Sequence, residues 1–202
     1  MSVAGRSIPC METITIEPAT LARWSDLQQA LNGGGGRTCQ CAWWMLTNAQ
    51  YPDTTVDDRR EILRDEVTAG PPPGLIAYVD GDPAGWVRIT PRPKQARLAR
   101  TRNIARATTE PLDDPSVWAL SCFIVRREHR GKGLMSALLR AAVGHARDSG
   151  ARVVEGYPID TSVGAHRAPD MFVGTLSSFL AAGFTETAER KPGQPIVTLT
   201  LG

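Results

Sequence analysis

Arg126, Arg127, Arg130 and Lys132 crowd one short stretch of the chain, interleaved with Gly131 and Gly133. They follow the apolar run Cys122-Phe123-Ile124-Val125 and precede a helical pattern that opens at Leu134. A strand passing through a glycine turn into a helix aims several backbone N–H groups at one point, and the helix dipole adds positive potential there. Glycine lets a ligand approach the backbone with no Cβ in the way. The chemistry that suits such a place is binding of a pyrophosphate at a helix N-terminus. Two common phosphate loops are excluded. A Walker A loop needs Gly-Lys followed by Ser or Thr, and Lys132 is followed by Gly133. A dinucleotide fingerprint needs three glycines at fixed spacing, and only two are present.

The stretch Arg130-Gly131-Lys132-Gly133-Leu134-Met135 resembles the acetyl-CoA-binding motif of the GNAT superfamily of N-acetyltransferases, Arg/Gln-x-x-Gly-x-Gly/Ala between the fourth strand and the third helix. The arginine, Gly133, the preceding apolar strand and the following helix agree with it; Met135 replaces a small residue at the last position. A second resemblance lies at Phe179-Leu180-Ala181-Ala182-Gly183-Phe184, similar to the Tyr-x-x-x-Gly-Phe pattern that closes many members, with Phe179 at the usual tyrosine position. The resemblance implies acetyl-CoA as co-substrate and direct attack of a primary amine on its thioester in a ternary complex. It also implies that Phe123, Ile124 and Val125 bond the pantetheine as an added strand, and that Arg130, Gly131, Lys132, Gly133, Leu134, Met135 and Ser136 wrap the pyrophosphate.

Direct attack requires that the amine lose a proton and that the thiolate leave. Glu155 stands inside an otherwise apolar strand. Burial makes a carboxylate a better proton acceptor, so Glu155 is the candidate base, with a salt bridge or a hydrogen-bonded core acid as the alternative. Glu110, Asp113, Asp114 and His166 are loop candidates, and a water chain without a single base also fits. With Phe179 at the tyrosine position the usual general acid is missing; Tyr157 is the candidate substitute, and Ser177 and Ser178 are others. Cys122, beside the expected thioester, allows an acyl-cysteine route, but a strand cysteine is more commonly a small buried hydrophobe.

Cys39-x-Cys41 supplies two of the four ligands a zinc site needs and no second pair follows, so no metal is expected. Trp43-Trp44-Met45 reads as an aromatic wall for an apolar or aromatic amine, or as core packing. Arg92, Lys94, Arg97, Arg100, Arg102 and Arg106 form a basic run with no intervening acid, read as a solvated loop, or as a contact for an acidic acceptor, a CoA phosphate or nucleic acid. The run lacks the interleaved aromatics of a single-strand binder.

These groups have to be placed by a fold. Residues 1 to 10 read as a flexible tail, and the strand pattern Met-Glu-Thr-Ile-Thr-Ile-Glu-Pro makes Met11 the candidate true start of a domain spanning residues 11 to 202. Leu21, Trp24, Leu27 and Leu31 recur at helical spacing, and the run Gly33 to Gly36 stops that helix and reads as a flexible link. Val56 to Val67 predicts a second helix. Leu75 to Val79 and Ala84 to Thr90 predict a hairpin around Asp80-Gly81-Asp82. Residues 91 to 114 read as irregular. Ser116 to Val125 and Arg152 to Tyr157 predict strands flanking a helix from Leu134 to Arg147; Met171 to Ala182 predicts a last helix before strands Phe184 to Glu189 and Ile196 to Leu201.

The expected fold is α/β (α+β): one GNAT-type domain with a twisted, mixed, mostly antiparallel sheet of six to seven strands and about four helices. The 202 residues suffice for a core, and a net charge of +2 does not mark a nucleic-acid binder. No apolar run approaches the roughly 18 residues of a membrane span, and the opening residues lack a secretory pattern. Four cysteines do not suggest a disulfide scaffold, so the cytoplasm is the expected location. The alternatives are a non-catalytic acyl-CoA-binding domain, motivated by Phe179 and Met135, and a nucleic-acid-associated module using the basic run. Partners are expected to be acetyl-CoA and a small amine, with a homodimer in keeping with the superfamily.

Overall fold

The computed structural model describes residues 12–164 and 168–202. The expected tail, the proposed start at Met11 and His166 lie outside the described residues. Strands β1 (Ile14–Pro18), β2 (Gly74–Val79), β3 (Asp82–Pro91), β4 (Val117–Val125), β5 (Val153–Gly156), β6 (Thr185–Lys191) and β7 (Gln194–Thr200) form one sheet in the order β1-β2-β3-β4-β5-β7-β6. Every neighbouring pair is antiparallel except β4 and β5. A parallel pair needs a crossover, and the helix Leu134–Asp148 between the two strands supplies it.

Seven α-helices occur among the described residues: α1 (Trp24–Ala30), α2 (Gly36–Cys39), α3 (Val56–Ala69), α4 (Ala96–Arg100), α5 (Arg102–Ala107), α6 (Leu134–Asp148) and α7 (Leu176–Ala181). The excess over the expected four consists of short pieces. α4 and α5 fall where the sequence reads as irregular, because a six-residue helix carries too few turns to show a period. The last predicted helix is broken: Ala168–Val173 is a 3-10 turn, and Gly174, at φ 83°, separates it from α7.

Helices cover both faces of the sheet. On one, α6 buries Leu134, Leu138, Leu139, Ala142, Val143 and Ala146 against Val87, Trp118, Leu120, Phe123 and Val154. Leu138 and Leu139 are fully buried, each contributing about 2 kcal/mol relative to exposure. On the other, α1 and α3 set Leu27, Leu63 and Val67 against Ile76, Trp86, Cys122 and Ile124. α3 starts at a capping box in which Thr55 and Asp58 each accept the other's backbone N–H.

Along β4 the two faces exchange parity. Trp118, Leu120 and Phe123 face α6, whereas Ala119, Cys122 and Ile124 face α1. The switch is a bulge: Ile89 pairs with Leu120 and Arg88 with Cys122, leaving Ser121 unmatched.

Candidate active site

β4 pairs with β5 only from Val117 to Leu120, where Leu120 meets Gly156. Its pairing with β3 continues to Val125. Among the described residues, 121–125 therefore keep one backbone edge without a partner strand. The Ser121 carbonyl accepts a hydrogen bond from Trp44 Nε1 at 2.8 Å. An open length of strand in the middle of a sheet suits an extended ligand that pairs with it as a strand does.

That edge forms one wall of a cleft of about 750 Å³. Cys122, Phe123, Ile124 and Val125 line it from β4, Arg130 and Met135 from the glycine turn and helix start, and Trp43, Trp44, Tyr51, Met171 and Phe172 from the opposite side. Gly33 to Gly36 close it above Ile124. Gly33 and Gly36 serve close approach, a Cβ on Gly33 lying 2.8 Å from Ile124 Cγ2 and 3.1 Å from the Arg126 nitrogen, whereas Gly34 and Gly35 border open space.

The turn between β4 and α6 is pinned from below. Arg126 Nη1 donates to Asp82 at 2.9 Å, and its Nη2 lies 2.5 Å from Glu128. Buried His129 meets the same Asp82 carboxylate at 2.8 Å. Burial raises the Asp82 pKa, but His129 and Arg126 outweigh it and hold the carboxyl below its usual value. Lys132 pairs with Glu12. Of the four crowded cations, Arg126 and Lys132 are thus bound to acids, while Arg127 and Arg130 are exposed. Gly131 and Gly133 take φ values of 78° and 76°, and Gly133 is the residue from which α6 starts. Helical geometry leaves the N–H groups of Leu134, Met135 and Ser136 without intrahelical partners at this mouth. Leu134 is itself a core side chain, Met135 packs on the α6 core while facing the cleft, and Ser136 is half-buried beside it.

Glu155 and Tyr157 lie elsewhere. Both are fully buried, and neither lines the cleft. Arg92 Nη1 stands 3.1 Å from each Glu155 carboxylate oxygen. Thr108 Oγ1 donates to Glu155 at 2.5 Å, and so does the Tyr157 hydroxyl. Burial, with the Glu155 charge beside it, pushes the Tyr157 phenol well above its usual pKa. The structure assigns Glu155 the alternative reading, a paired acid in a closed network. The physical reason is placement: Glu155 does not line the cleft, and Arg92 balances its charge inside the core. Tyr157 stacks on Trp44, with ring centroids 6.3 Å apart, and so backs the cleft wall.

The other sequence candidates scatter. Glu110 and Asp114 both accept from Arg152, at 2.6 and 2.8 Å. Ser177 and Ser178 bond Thr175. Phe179 is a core residue in edge contact with Phe123 and Phe184, so that position offers no hydroxyl. Arg92 and Arg97 are buried, which overturns the solvated-loop reading for these two; Lys94, Arg100, Arg102 and Arg106 are exposed. Arg97 lies over the Trp43 ring, 3.8 Å from its centroid, and donates to the Thr47 carbonyl at 3.0 Å, so the aromatic wall rests on a buried cation. Trp44 is both wall and core.

Cys41 is the group whose surroundings are least evident from the sequence. Its sulfur, buried at the cleft floor, accepts from Trp86 Nε1 and from Arg88 Nε, each at 3.2 Å, and Cys122 lines the same cleft. Burial raises its pKa, but the neighbouring Cys122, Arg88 and Trp86 outweigh burial and bring it down to about 6. The neighbouring Cys41, with burial, pushes the Cys122 thiol well above its usual value. Cys39 is raised by burial, and Tyr51 to about 12 by burial and the neighbouring Cys39. Among the described residues no three His, Cys, Asp or Glu side chains are grouped to hold a metal ion. Tyr51, Met171 and Phe172 carry no spacing signal in the sequence. Arg88 does carry one, a charge inside an apolar strand, the same signal that singles out Glu155.

The architecture recurs in solved structures. YncA from Salmonella typhimurium, with its cofactor acetyl-CoA, is 18% identical with a TM-score of 0.56, the match covering 94% of this chain and 94% of that one. An N-acetyltransferase from Staphylococcus aureus Mu50 is 16% identical with a TM-score of 0.55, covering 94% and 99%. The aminoglycoside acetyltransferase AAC(6′)-Ib in complex with coenzyme A is 17% identical with a TM-score of 0.52, covering 93% and 95%. At these identities the likeness is one of fold. No curated protein matches the sequence. The sequence model of the acetyltransferase (GNAT) family matches residues 39–168, more than half of the chain and the whole stretch from the cysteine pair through the glycine turn. With the family model and the fold in agreement, the chain belongs to the GNAT acetyltransferase family.

Proposed function

We propose that the chain transfers an acetyl group from acetyl-CoA to the primary amine of a small molecule, by direct attack within a ternary complex. The observation that carries the reading is the open edge of β4, residues 121–125, running straight into Gly131, Gly133 and the free N–H groups of the first α6 turn. The residues present fit the co-substrate. Phe123, Ile124 and Val125 would hold the pantetheine by backbone bonds, and Arg130 to Ser136 would surround the pyrophosphate, with Arg130 supplying charge. Backbone N–H groups of the same edge would polarise the thioester carbonyl. Trp43, Tyr51 and Phe172 would seat an apolar or aromatic acceptor. Among the described residues Cys39, Cys41 and Cys122 are free thiols, which suits a reducing compartment such as the cytoplasm. Among the described residues no helix is long and apolar enough to cross a membrane.

Calorimetric titration with acetyl-CoA tests the reading, beside a chain carrying Arg130→Glu and Gly133→Glu. Saturable binding to the native chain and none to the variant is expected, followed by CoA release with at least one member of an amine library. A native chain that binds no acetyl-CoA would overturn it.

A further inference from the structure

The cleft carries a second feature that pyrophosphate binding does not use. Cys41 sits on its floor with two N–H donors aimed at its sulfur, the Trp86 indole and the Arg88 guanidinium, each at 3.2 Å, and with Cys122 lining the same cleft. Buried polar donors converge in this way where negative charge is to be held. Arg88 is itself locked in place. Its Nη1 and Nη2 donate to the two Glu66 oxygens at 2.9 and 2.8 Å, a two-pronged pair that fixes the plane of the guanidinium and leaves Nε for the sulfur. The backbone also works to place Cys41. Gln40 and Cys41 take consecutive left-handed conformations, φ 49° and 55°, which non-glycine residues seldom adopt. Cys41 and Cys122 both line the cleft, beside the open edge of β4.

We propose that Cys41 is a catalytic thiolate, the proton acceptor for the attacking amine and the proton donor to the departing CoA. The inference rests on the acetyl-transfer reading above. In the step, the amine nitrogen forms a bond to the acetyl carbon, the carbon–sulfur bond of acetyl-CoA breaks, and the nitrogen's proton passes to Cys41 Sγ. The departing CoA thiolate, with the proton affinity of an ordinary thiol near a pKa of about 8.5, then takes that proton and leaves as the neutral thiol, and Cys41 is a thiolate again. One residue thereby fills the two roles for which Glu155 and Tyr157 are wrongly placed. The groups facing Cys41 are consistent with it: Arg88 from β3 carries the positive charge, Glu66 from α3 balances it, Cys122 from β4 keeps its proton, and neighbouring Cys39 is held neutral by burial. The depressed Cys41 value, about 6, leaves the sulfur charged at neutral pH.

Two measurements on the full chain test this. The first is alkylation of Cys41 by iodoacetamide across about pH 5 to 9, located by peptide mass spectrometry. The expected rate rises with a midpoint of about 6; a midpoint near 9, the ordinary thiol value, would overturn the proposal. The second is steady-state kinetics of Cys41→Ser, with acetyl-CoA affinity as the check on folding. The expected result is a kcat reduced about 100-fold, acetyl-CoA affinity within about twofold of native, and loss of the acid limb near pH 6. Unchanged kcat and pH profile in a variant that binds acetyl-CoA would overturn it, as would recovery of an acetyl group on Cys41 after mixing with acetyl-CoA alone, which is the mark of a covalent route. Failure of the function itself looks different: the native chain then acetylates no amine, and the proton-transfer role falls with it.

Discussion

Arg92 and Glu155, 63 residues apart in sequence, meet in the core with one guanidinium nitrogen 3.1 Å from both carboxylate oxygens and with side-chain exposures of 1% and 0%. Thr108 and Tyr157 complete the shell around the acid, and the Glu110 carbonyl accepts from Arg92 Nη2 at 3.1 Å. The pair ties the segment after β3 to β5, the strand that parts from β4 at the cleft. Removing one partner strands the other charge in a dry site. Arg92→Met should therefore cost about 3–5 kcal/mol in urea unfolding, and the double change with Glu155→Leu should recover most of it. Tyr157→Phe should lower stability by about 1 kcal/mol and leave kcat close to native, which a kinetic and urea comparison of the same preparation would check.

Gly133 sets the entry to α6 at φ 76°. Gly133→Ala puts a side chain into the left-handed region at a cost of about 1 kcal/mol, and the turn relieves it by rotating away from the cleft mouth. Acetyl-CoA affinity should fall several-fold while the urea midpoint moves little, as paired calorimetry and unfolding would show.

Trp43 is held under Arg97 and edge-on to Tyr51, with ring centroids 5.1 Å apart. Truncation by Trp43→Ala removes a rigid wall from the acceptor side only. The acceptor KM should rise roughly fivefold, equivalent to about 1 kcal/mol, with the acetyl-CoA KM unchanged. Arg97→Met should move the same constant in the same direction through loss of the stack.

Acid should loosen the start of β4. Asp114 accepts from the Ser116 backbone at 2.8 Å and hydroxyl at 2.6 Å, and from Arg152. The Ser116 hydroxyl above all, then Arg152, lower its pKa from 3.8 to about 2. A carboxyl whose folded value is depressed stabilises the fold fully above its unfolded value and loses that contribution as pH falls through the folded one. Thermal unfolding should show a decline between about pH 4 and 2 that Asp114→Asn flattens.

Gly156 is where β5 leaves β4, and the Phe179 ring fills the place of its side chain, with Cδ1 and Cζ 3.0 Å from where a Cβ would sit. Gly156→Ala should cost about 1–3 kcal/mol by overpacking, since the ring is hemmed in by Phe123 and Phe184. A lowered melting temperature with weakened acetyl-CoA binding is the expected pair of readings.

The glycine turn was legible because its signal is local: strand, Gly131, Gly133 and helix adjoin in the chain, and the amphipathic period of α6 runs for four turns. The elements around it follow by the same logic, except α2, α4 and α5, too short to show a period, and the last helix, which Gly174 breaks. What sequence pattern could not supply is pairing at a distance. The basic run from Arg92 to Arg106 reads as solvent-facing only while the partners of Arg92 and Arg97 are unseen, and those partners lie 63 residues downstream and about 50 upstream. Glu155 stood out correctly as a charge in an apolar strand, but a base and a buried partner give the same pattern. Arg88 carried that pattern as well, and reading it together with Cys41 requires the left-handed turn after α2 that brings the cysteine back onto β3.

Hydrogen-bonding edges usually lie at the margins of a sheet, where they invite strands from other chains. Here the margin strand β6 is lined with Glu186, Glu189, Arg190 and Lys191, side chains that discourage such pairing. The open backbone of residues 121–125 is instead set inside the sheet, between β3 and the departing β5, under the roof made by Gly33 to Gly36 and Trp44. A thin extended molecule can reach it from the cleft, whereas a second polypeptide would have to displace the chain's own strands. The fold thereby separates recognition through backbone bonds from the hazard of self-association that such bonds ordinarily bring.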